Sequence, residues 1–289
     1  MKVRLLALVS AFALSLLSAL PASASSEGHG YLALGDSVAF GFDPHANPNS
    51  AANFTGYPEI VAQGLNLEDV NASCSGEATG GFLSITGTDN VCRFYRAHWP
   101  LHVAYSGTQM DFATSYLRSH QGTRLVTLTL GANDYFRFLK DCAVGSTFGT
   151  CALGLGGLIA VMQANLNTIF GQIRGTGYTG LIVAVTYYAL DYRDESGASF
   201  LNGPMIAAAK AHGALVASGQ DAWRATALAA GGSSCTAGLL IPTPEDPTSA
   251  CDVHPTPLGR DLLAGAVLND IAGSCPAHSV QGCLNRNQG

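Results

Sequence analysis

Lysine is nearly missing from this 289-residue chain: Lys2 stands near the start, and only Lys140 and Lys210 follow it. Charged residues of all kinds make up 12% of the sequence, and removing Lys2 and Arg4 takes the formal net charge from -6 to -8. A chain so poor in positive charge has no electrostatic footing on nucleic acid or an anionic membrane surface, and neither is expected as a partner. Metal signatures are missing as well. No C-x-x-C pair occurs, and although His98 and His102 have helical i,i+4 spacing, Pro100 between them works against a helix. No metal or other cofactor is expected. There is no internal repeat and no charged low-complexity tract. A long apolar run is found once, from Leu5 to Leu20, and no later stretch is expected to span a bilayer or insert stably in one.

That single run is preceded by Lys2 and Arg4 and followed by Ala22-Ser23-Ala24, the small residues a signal peptidase requires. Residues 1–24 therefore read as a signal peptide and 25–289 as one domain, with a secreted destination. Eight cysteines in an exported chain point to disulfides. Pairing in sequence order would join Cys74 with Cys92, Cys142 with Cys151, Cys235 with Cys251 and Cys275 with Cys283, one of about 105 connectivities that eight cysteines allow.

Tyr31 to Leu34, Leu125 to Leu130 and Leu181 to Tyr187 are short apolar runs rich in strand formers, each followed by a glycine, polar or charged cluster. Helical stretches are expected over Tyr57 to Leu65, Ala152 to Ile173, Phe200 to Ala211 and Pro257 to Ile271, with Ala207 to Gly232 read as helix and tight turns. Alternating strands and helices indicate an α/β fold with a central parallel sheet covered on both faces, which binds ligands at the carboxyl ends of its strands.

Ser37 and the turn Gly131-Ala132-Asn133-Asp134 both follow such strands directly, so both fall on that rim. In Gly35-Asp36-Ser37 the glycine permits a tight turn and the serine emerges as a nucleophile, although a helix N-cap has the same appearance. Far downstream, Asp252-Val253-His254-Pro255 offers His254 as a general base just before the last helix. Asn133 and the backbone N–H of Gly76 are candidate oxyanion donors, alongside the N–H of Ser37 itself; an Asx-turn and a left-handed turn are the plainer readings of the first two. Phe82, Trp99, Tyr135, Phe136, Phe138 and Leu139 lie in or beside these loops and are candidates for an apolar acyl wall.

Taken in order, Gly35-Asp36-Ser37, Gly76, Gly131-Ala132-Asn133-Asp134 and Asp252-Val253-His254-Pro255 resemble the four blocks of the SGNH hydrolase (GDSL esterase/lipase) superfamily, in its secreted, disulfide-bearing, actinobacterial-type branch. The resemblance implies a three-layer α/β/α, flavodoxin-like domain that cleaves esters through a serine acyl-enzyme. It implies Ser37 as nucleophile, Ser37, Gly76 and Asn133 as the oxyanion hole, His254 as base, a small-molecule or lipid ester substrate, and a monomer. One position departs from the family. The triad acid commonly stands three residues before the histidine, where this chain has Cys251, and Asp252 stands two before. Residues i and i+2 of an extended segment share a face, so the Asp252 carboxylate can reach the imidazole; a main-chain carbonyl is the competing partner. A carbohydrate acetyl esterase or a phospholipase on the same fold, an α/β-hydrolase, whose G-x-S-x-G elbow this sequence narrowly misses, and a non-catalytic exported binding module are the alternatives.

Overall fold

In a computed structural model, described over residues 29–145, 148–243 and 250–275, the chain follows the expected alternation. In order come β1 (Gly30–Gly35), α1 (Ser37–Phe40), α2 (Tyr57–Leu65), β2 (Glu68–Asn71), α3 (Thr79–Leu83), α4 (Cys92–His98) and α5 (Gln109–Ser119). There follow β3 (Thr123–Thr129), α6 (Ala132–Gly145), α7 (Phe148–Gly175), β4 (Leu181–Val185), α8 (Ser196–Ala211), β5 (Leu215–Ala217) and α9 (Gly219–Ala229). The hairpin strands β6 (Leu240–Pro242) and β7 (Cys251–Pro255) lead into α10 (Pro257–Ser274). The proposed signal segment lies outside the described residues.

Five strands form an all-parallel sheet in the order β2-β1-β3-β4-β5, the flavodoxin-like order. Side-chain alternation along its strands splits the core into two layers. Tyr31, Ala33, Leu125, Val183 and Val185 point to one face, where α2, α9 and α10 supply Val61, Trp223, Leu263 and Val267. Leu32, Leu34, Val126, Leu128, Ile182 and Ala184 point to the other, against Met110 and Leu117 of α5, Leu166 and Phe170 of α7, and Met205 of α8. These strands are buried on both faces, which is why they read as continuous apolar runs rather than as an alternating pattern.

Several boundaries differ from expectation. The helix expected from Ala152 begins at Phe148, the one expected from Phe200 begins at Ser196 with Pro204 in its interior, and the third strand run ends at Val185 rather than Tyr187. The segment 207–232 holds the end of α8, the short strand β5 and helix α9. The expectation that no later stretch could span a bilayer does not hold by length and composition: Leu153–Gly175 of α7 is long and apolar enough. Its second half, with Met162, Leu166, Ile169, Phe170 and Ile173 fully buried, packs into the core.

Three of the expected cystine pairs are present: Cys74–Cys92, Cys142–Cys151 and Cys235–Cys251. They are consistent with an extracellular protein. The fourth, Cys275 with Cys283, involves a residue outside the described ones. Cys74–Cys92 closes the loop that holds the turn at Gly76, Cys142–Cys151 links α6 to α7, and Cys235–Cys251 ties the hairpin that carries His254 to the segment before it.

Candidate active site

The first block is built by the end of β1. Gly35 sits at φ +135°, and a Cβ there would lie 2.1 Å from the carbonyl oxygen of Thr129 on β3, so only glycine fits this approach. Gln109, fully buried at the start of α5, grips the same residue from both sides: its Oε1 accepts from Gly35 N at 2.6 Å and its Nε2 donates to Gly35 O at 3.0 Å. Asp36 then caps α1, its Oδ1 accepting from Val38 N at 3.0 Å. Ser37 opens that one-turn helix, and the cap is its neighbour Asp36 rather than the serine.

His254 reaches Ser37 from the opposite end of the chain. Its Nε2 lies 2.8 Å from Ser37 Oγ, a separation of 217 residues in sequence. The hairpin that delivers it is tied to the sheet by Tyr188, whose hydroxyl donates to Val253 O at 2.6 Å while its ring stacks on buried Trp223 at 3.6 Å. Phe42 packs edge-on against the imidazole at 4.9 Å.

Asp252 lies behind the histidine. Its Oδ1 accepts from the His254 backbone N–H at 3.0 Å and also meets His254 Nδ1 in a short hydrogen bond. Burial pushes the Asp252 carboxyl up, but the hydrogen bonds from His254 and the positive charge that the ring acquires outweigh it and hold the group below the ordinary carboxylate range. The side chain two residues before the histidine thus occupies the place beside Nδ1, while Cys251 is engaged with Cys235.

Gly76 and Asn133 line the same cavity as Ser37 and His254. Gly76 is held at φ +84° by the Cys74–Cys92 loop, and a Cβ would meet Val91 Cγ2 at 2.1 Å. Asn133, on the first turn of α6, has its amide fixed from both ends: Oδ1 accepts from Asn90 Nδ2 at 2.9 Å, and Nδ2 points at Asp36 Oδ2 at 3.4 Å. Asp134 pins the same turn by accepting from Thr79 N at 2.9 Å and Thr79 Oγ1 at 2.6 Å.

The cavity measures about 1020 Å³ and is lined mainly by apolar and aromatic side chains, among them Phe42, Phe94, Tyr95, Trp99, Tyr135, Phe136, Leu155 and Phe200. Of the six wall candidates, Trp99, Tyr135 and Phe136 line it and the other three do not. Phe82 is fully buried in the core, Phe138 packs against Gly154 of α7, and Leu139 faces outward. A helix presents adjacent residues about 100° apart, so Tyr135 to Leu139 cannot all share one wall. Phe94, Leu155 and Phe200 lie far from any motif, and nothing local in the sequence marked them.

His98 and His102 do not converge. His98 Nδ1 contacts Phe94 O at 2.8 Å, and His102 Nε2 contacts Phe40 O at 3.0 Å. Among the described residues the cluster with metal-ligand proximity is Glu77, Asp89 and Cys92, but the Cys92 sulfur is committed to Cys74. A cystine sulfur is not a thiolate ligand.

The chain matches the profile of the GDSL-like Lipase/Acylhydrolase family over residues 33–262. It belongs to that family. Membership makes it a carboxylic ester hydrolase by class. No curated protein sequence matches it significantly. Among solved structures it is similar to a phospholipase A1 from Streptomyces albidoflavus NA297, at 19% identity over 84% of this chain and 99% of that one, with a TM-score of 0.53. It is also similar to an acetyl-xylooligosaccharide esterase from Geobacillus stearothermophilus (18% identity, 88% and 98% covered, TM-score 0.52). A third is an alpha/beta hydrolase enzyme from the metagenome of Lake Arreo, Spain (16%, 89% and 97%, TM-score 0.52). At these identities the likeness is one of fold.

Beneath the Gly76 turn, burial first and the nearby Asp89 carboxylate second push Glu77 up to about 8 from 4.5. The folded state therefore binds this proton more tightly than the unfolded chain does. The stability it confers is full below pH 4.5 and falls as pH rises toward 8. Thermal unfolding of the parent should show a midpoint that declines over that interval, and Glu77→Gln, which stays neutral, should flatten the decline. Midpoint curves that run parallel for the two proteins would show that Glu77 is ionised in the fold.

Proposed function

We propose that this hydrolase is an exported, single-domain serine esterase whose preferred substrates carry an apolar acyl chain, with Ser37 as its nucleophile. The observation that carries this reading is the line Asp252–His254–Ser37, closed at 2.8 Å between His254 Nε2 and Ser37 Oγ at the floor of an apolar cavity. The signal-like residues 1–24 and the three cystines support export.

In the reaction, Ser37 Oγ attacks the ester carbonyl carbon while His254 Nε2 takes the hydroxyl proton, and Asp252 stabilises the imidazolium through Nδ1. The carbonyl oxygen, now an oxyanion, is received by the backbone N–H groups of Ser37 and Gly76 and by Asn133 Nδ2. One Nδ2 hydrogen is aimed at Asp36, which leaves the second for the substrate. Each such donor contributes about 3 kcal/mol to lowering the barrier. Collapse breaks the ester bond, and the alcohol leaves with the proton from His254. Water then attacks the acyl-enzyme by the same route in reverse and frees Ser37.

The aromatic lining favours an acyl chain over an acetyl group on a sugar, since burying each methylene of the chain contributes about 0.8 kcal/mol. A series of p-nitrophenyl esters should therefore show kcat/KM rising with acyl length from acetate to at least octanoate. A steady fall from acetate onward, with turnover of acetylated sugars, would identify an acetyl esterase instead.

Ser37→Ala should fold normally, lose labelling by a fluorophosphonate probe, and retain under about one part in a thousand of parental kcat. Turnover near the parental rate would reject Ser37 as nucleophile. Asp252→Asn should lower kcat by at least a hundredfold with little change in the unfolding midpoint. A fall of less than about tenfold, roughly 1.4 kcal/mol of barrier, would mean that a main-chain oxygen can orient His254 without the carboxylate.

A further inference from the structure

We infer that Tyr187, just beyond the end of β4, is a positioning residue for this reaction, its hydroxyl locking the turn that presents Ser37 to the turn that presents Asn133. The inference rests on the serine-esterase reading above and assigns a role to a residue outside the four sequence blocks. Tyr187 OH donates to Asp36 Oδ2, the residue immediately before Ser37, and accepts from the backbone N–H of Ala132, the residue immediately before Asn133, at 3.0 Å. One hydroxyl has one proton, so these two contacts have a fixed direction: an amide N–H can only donate and an ionised carboxylate can only accept. The side chain of Asn133 closes the ring by pointing Nδ2 at the same Asp36 oxygen.

Tyr187 is itself held in place. Asn202 of α8, nearly fully buried, accepts from Tyr187 N at 2.8 Å through Oδ1 and donates to Tyr187 O at 2.8 Å through Nδ2. The hydroxyl is thus a bridge between two strand-end turns that, among the described residues, no other side chain spans with both a donated and an accepted bond. Removing it leaves the Asp36 carboxylate with one partner fewer and frees the Ala132 N–H, so the Asn133 amide and the Ser37 hydroxyl lose their fixed separation. Reacting groups misplaced by about 1 Å can cost on the order of a hundredfold in rate.

The test is Tyr187→Phe in the otherwise intact enzyme, assayed with a soluble p-nitrophenyl ester, together with Asp36→Asn and the double variant. The expected result is a kcat lower by about 10- to 100-fold with KM within about twofold of the parent, because the hydroxyl acts on the oxyanion site and not on ground-state binding. Because both changes break the same lock, the double variant should fall no further than the worse single variant. A Tyr187→Phe kcat within about threefold of the parent, a raised KM with kcat retained, or multiplicative losses in the double variant would each overturn the inference. Should Tyr187→Phe fail to fold, Asp36→Asn decides together with its pH profile: a fall of tenfold or more at unchanged KM, with the acid limb of the pH–kcat/KM profile where the parent has it, supports the lock, whereas a parental kcat, or a displaced limb that assigns the loss to the charge Asp36 places near His254, overturns it. A parent enzyme whose turnover does not depend on Ser37 would instead defeat the underlying reading, so the two failures are distinguishable.

Discussion

Much of the site depends on one buried charge, the carboxylate of Asp36. It is 1% exposed, and burial pushes its pKa up to about 6, so at neutral pH the group is ionised while almost wholly buried. An ion in such a place demands donors, and three converge on it: Val38 N on one oxygen, and Tyr187 OH and Asn133 Nδ2 on the other. Each donor belongs to a different piece of the catalytic rim. The turn after β1, the turn after β3 and the end of β4 are therefore drawn together by the same electrostatic requirement, and the site is rigid because leaving any of these groups unpaired would cost about 1 to 3 kcal/mol or more.

The remaining reactive group arrives by a different route. His254 is not on the parallel sheet at all but on the hairpin β6–β7, 217 residues away from Ser37. Two ties hold that hairpin: the Tyr188 hydroxyl on Val253 O, backed by the Trp223 stack, and the Cys235–Cys251 bridge, which joins the first residue of β7 to the segment between α9 and β6. Both act within the three residues before His254, so local cross-links offset a long loop-closure distance. The Cys251 that forms one tie also stands where the family commonly has its acid. Asp252 takes that place because the extended backbone of β7 puts residues 252 and 254 on the same side, so one carboxylate oxygen bonds both the backbone and the ring of His254.

What could be read in the sequence was what local chemistry encodes. The strands at Tyr31, Leu125 and Leu181 were legible because burial on both faces leaves unbroken apolar runs, and the turns at Gly35 and Gly131 because their backbone angles demand glycine. Pairing of cysteines in sequence order also held for three pairs, since each bridges a short loop. Strands β2 and β5 were not legible. The first is Glu68-Asp69-Val70-Asn71 at the sheet edge, largely polar, and the second is only Leu215-Val216-Ala217. The clamp of Gln109 on Gly35, the Tyr187 bridge and the wall residue Phe200 were illegible for a different reason: their partners Gly35, Asp36, Ala132 and Tyr135 lie tens of residues away or more, and nothing in their own neighbourhood distinguishes them from ordinary core.

The distribution of buried carboxyls bears on how the site handles charge. Asp36 and Asp252 both interact with His254, and at each carboxyl that interaction works against the upward push of burial. In the proposed reaction, the negative charge at Asp36 would oppose an oxyanion forming beside Asn133. That opposition is moderated by the partners of Asp36, whose dipoles point at it and satisfy it locally, and by the fact that Glu77, next to Gly76, is kept protonated by burial and by Asp89 at neutral pH. In the proposed reaction, an ionised carboxylate at Glu77 would oppose the oxyanion that the neighbouring Gly76 N–H receives. The burial of Glu77 beside Asp89 and the hydrogen bonds around Asp36 are thus two ways of accommodating a buried carboxyl, one by keeping its proton and the other by supplying donors.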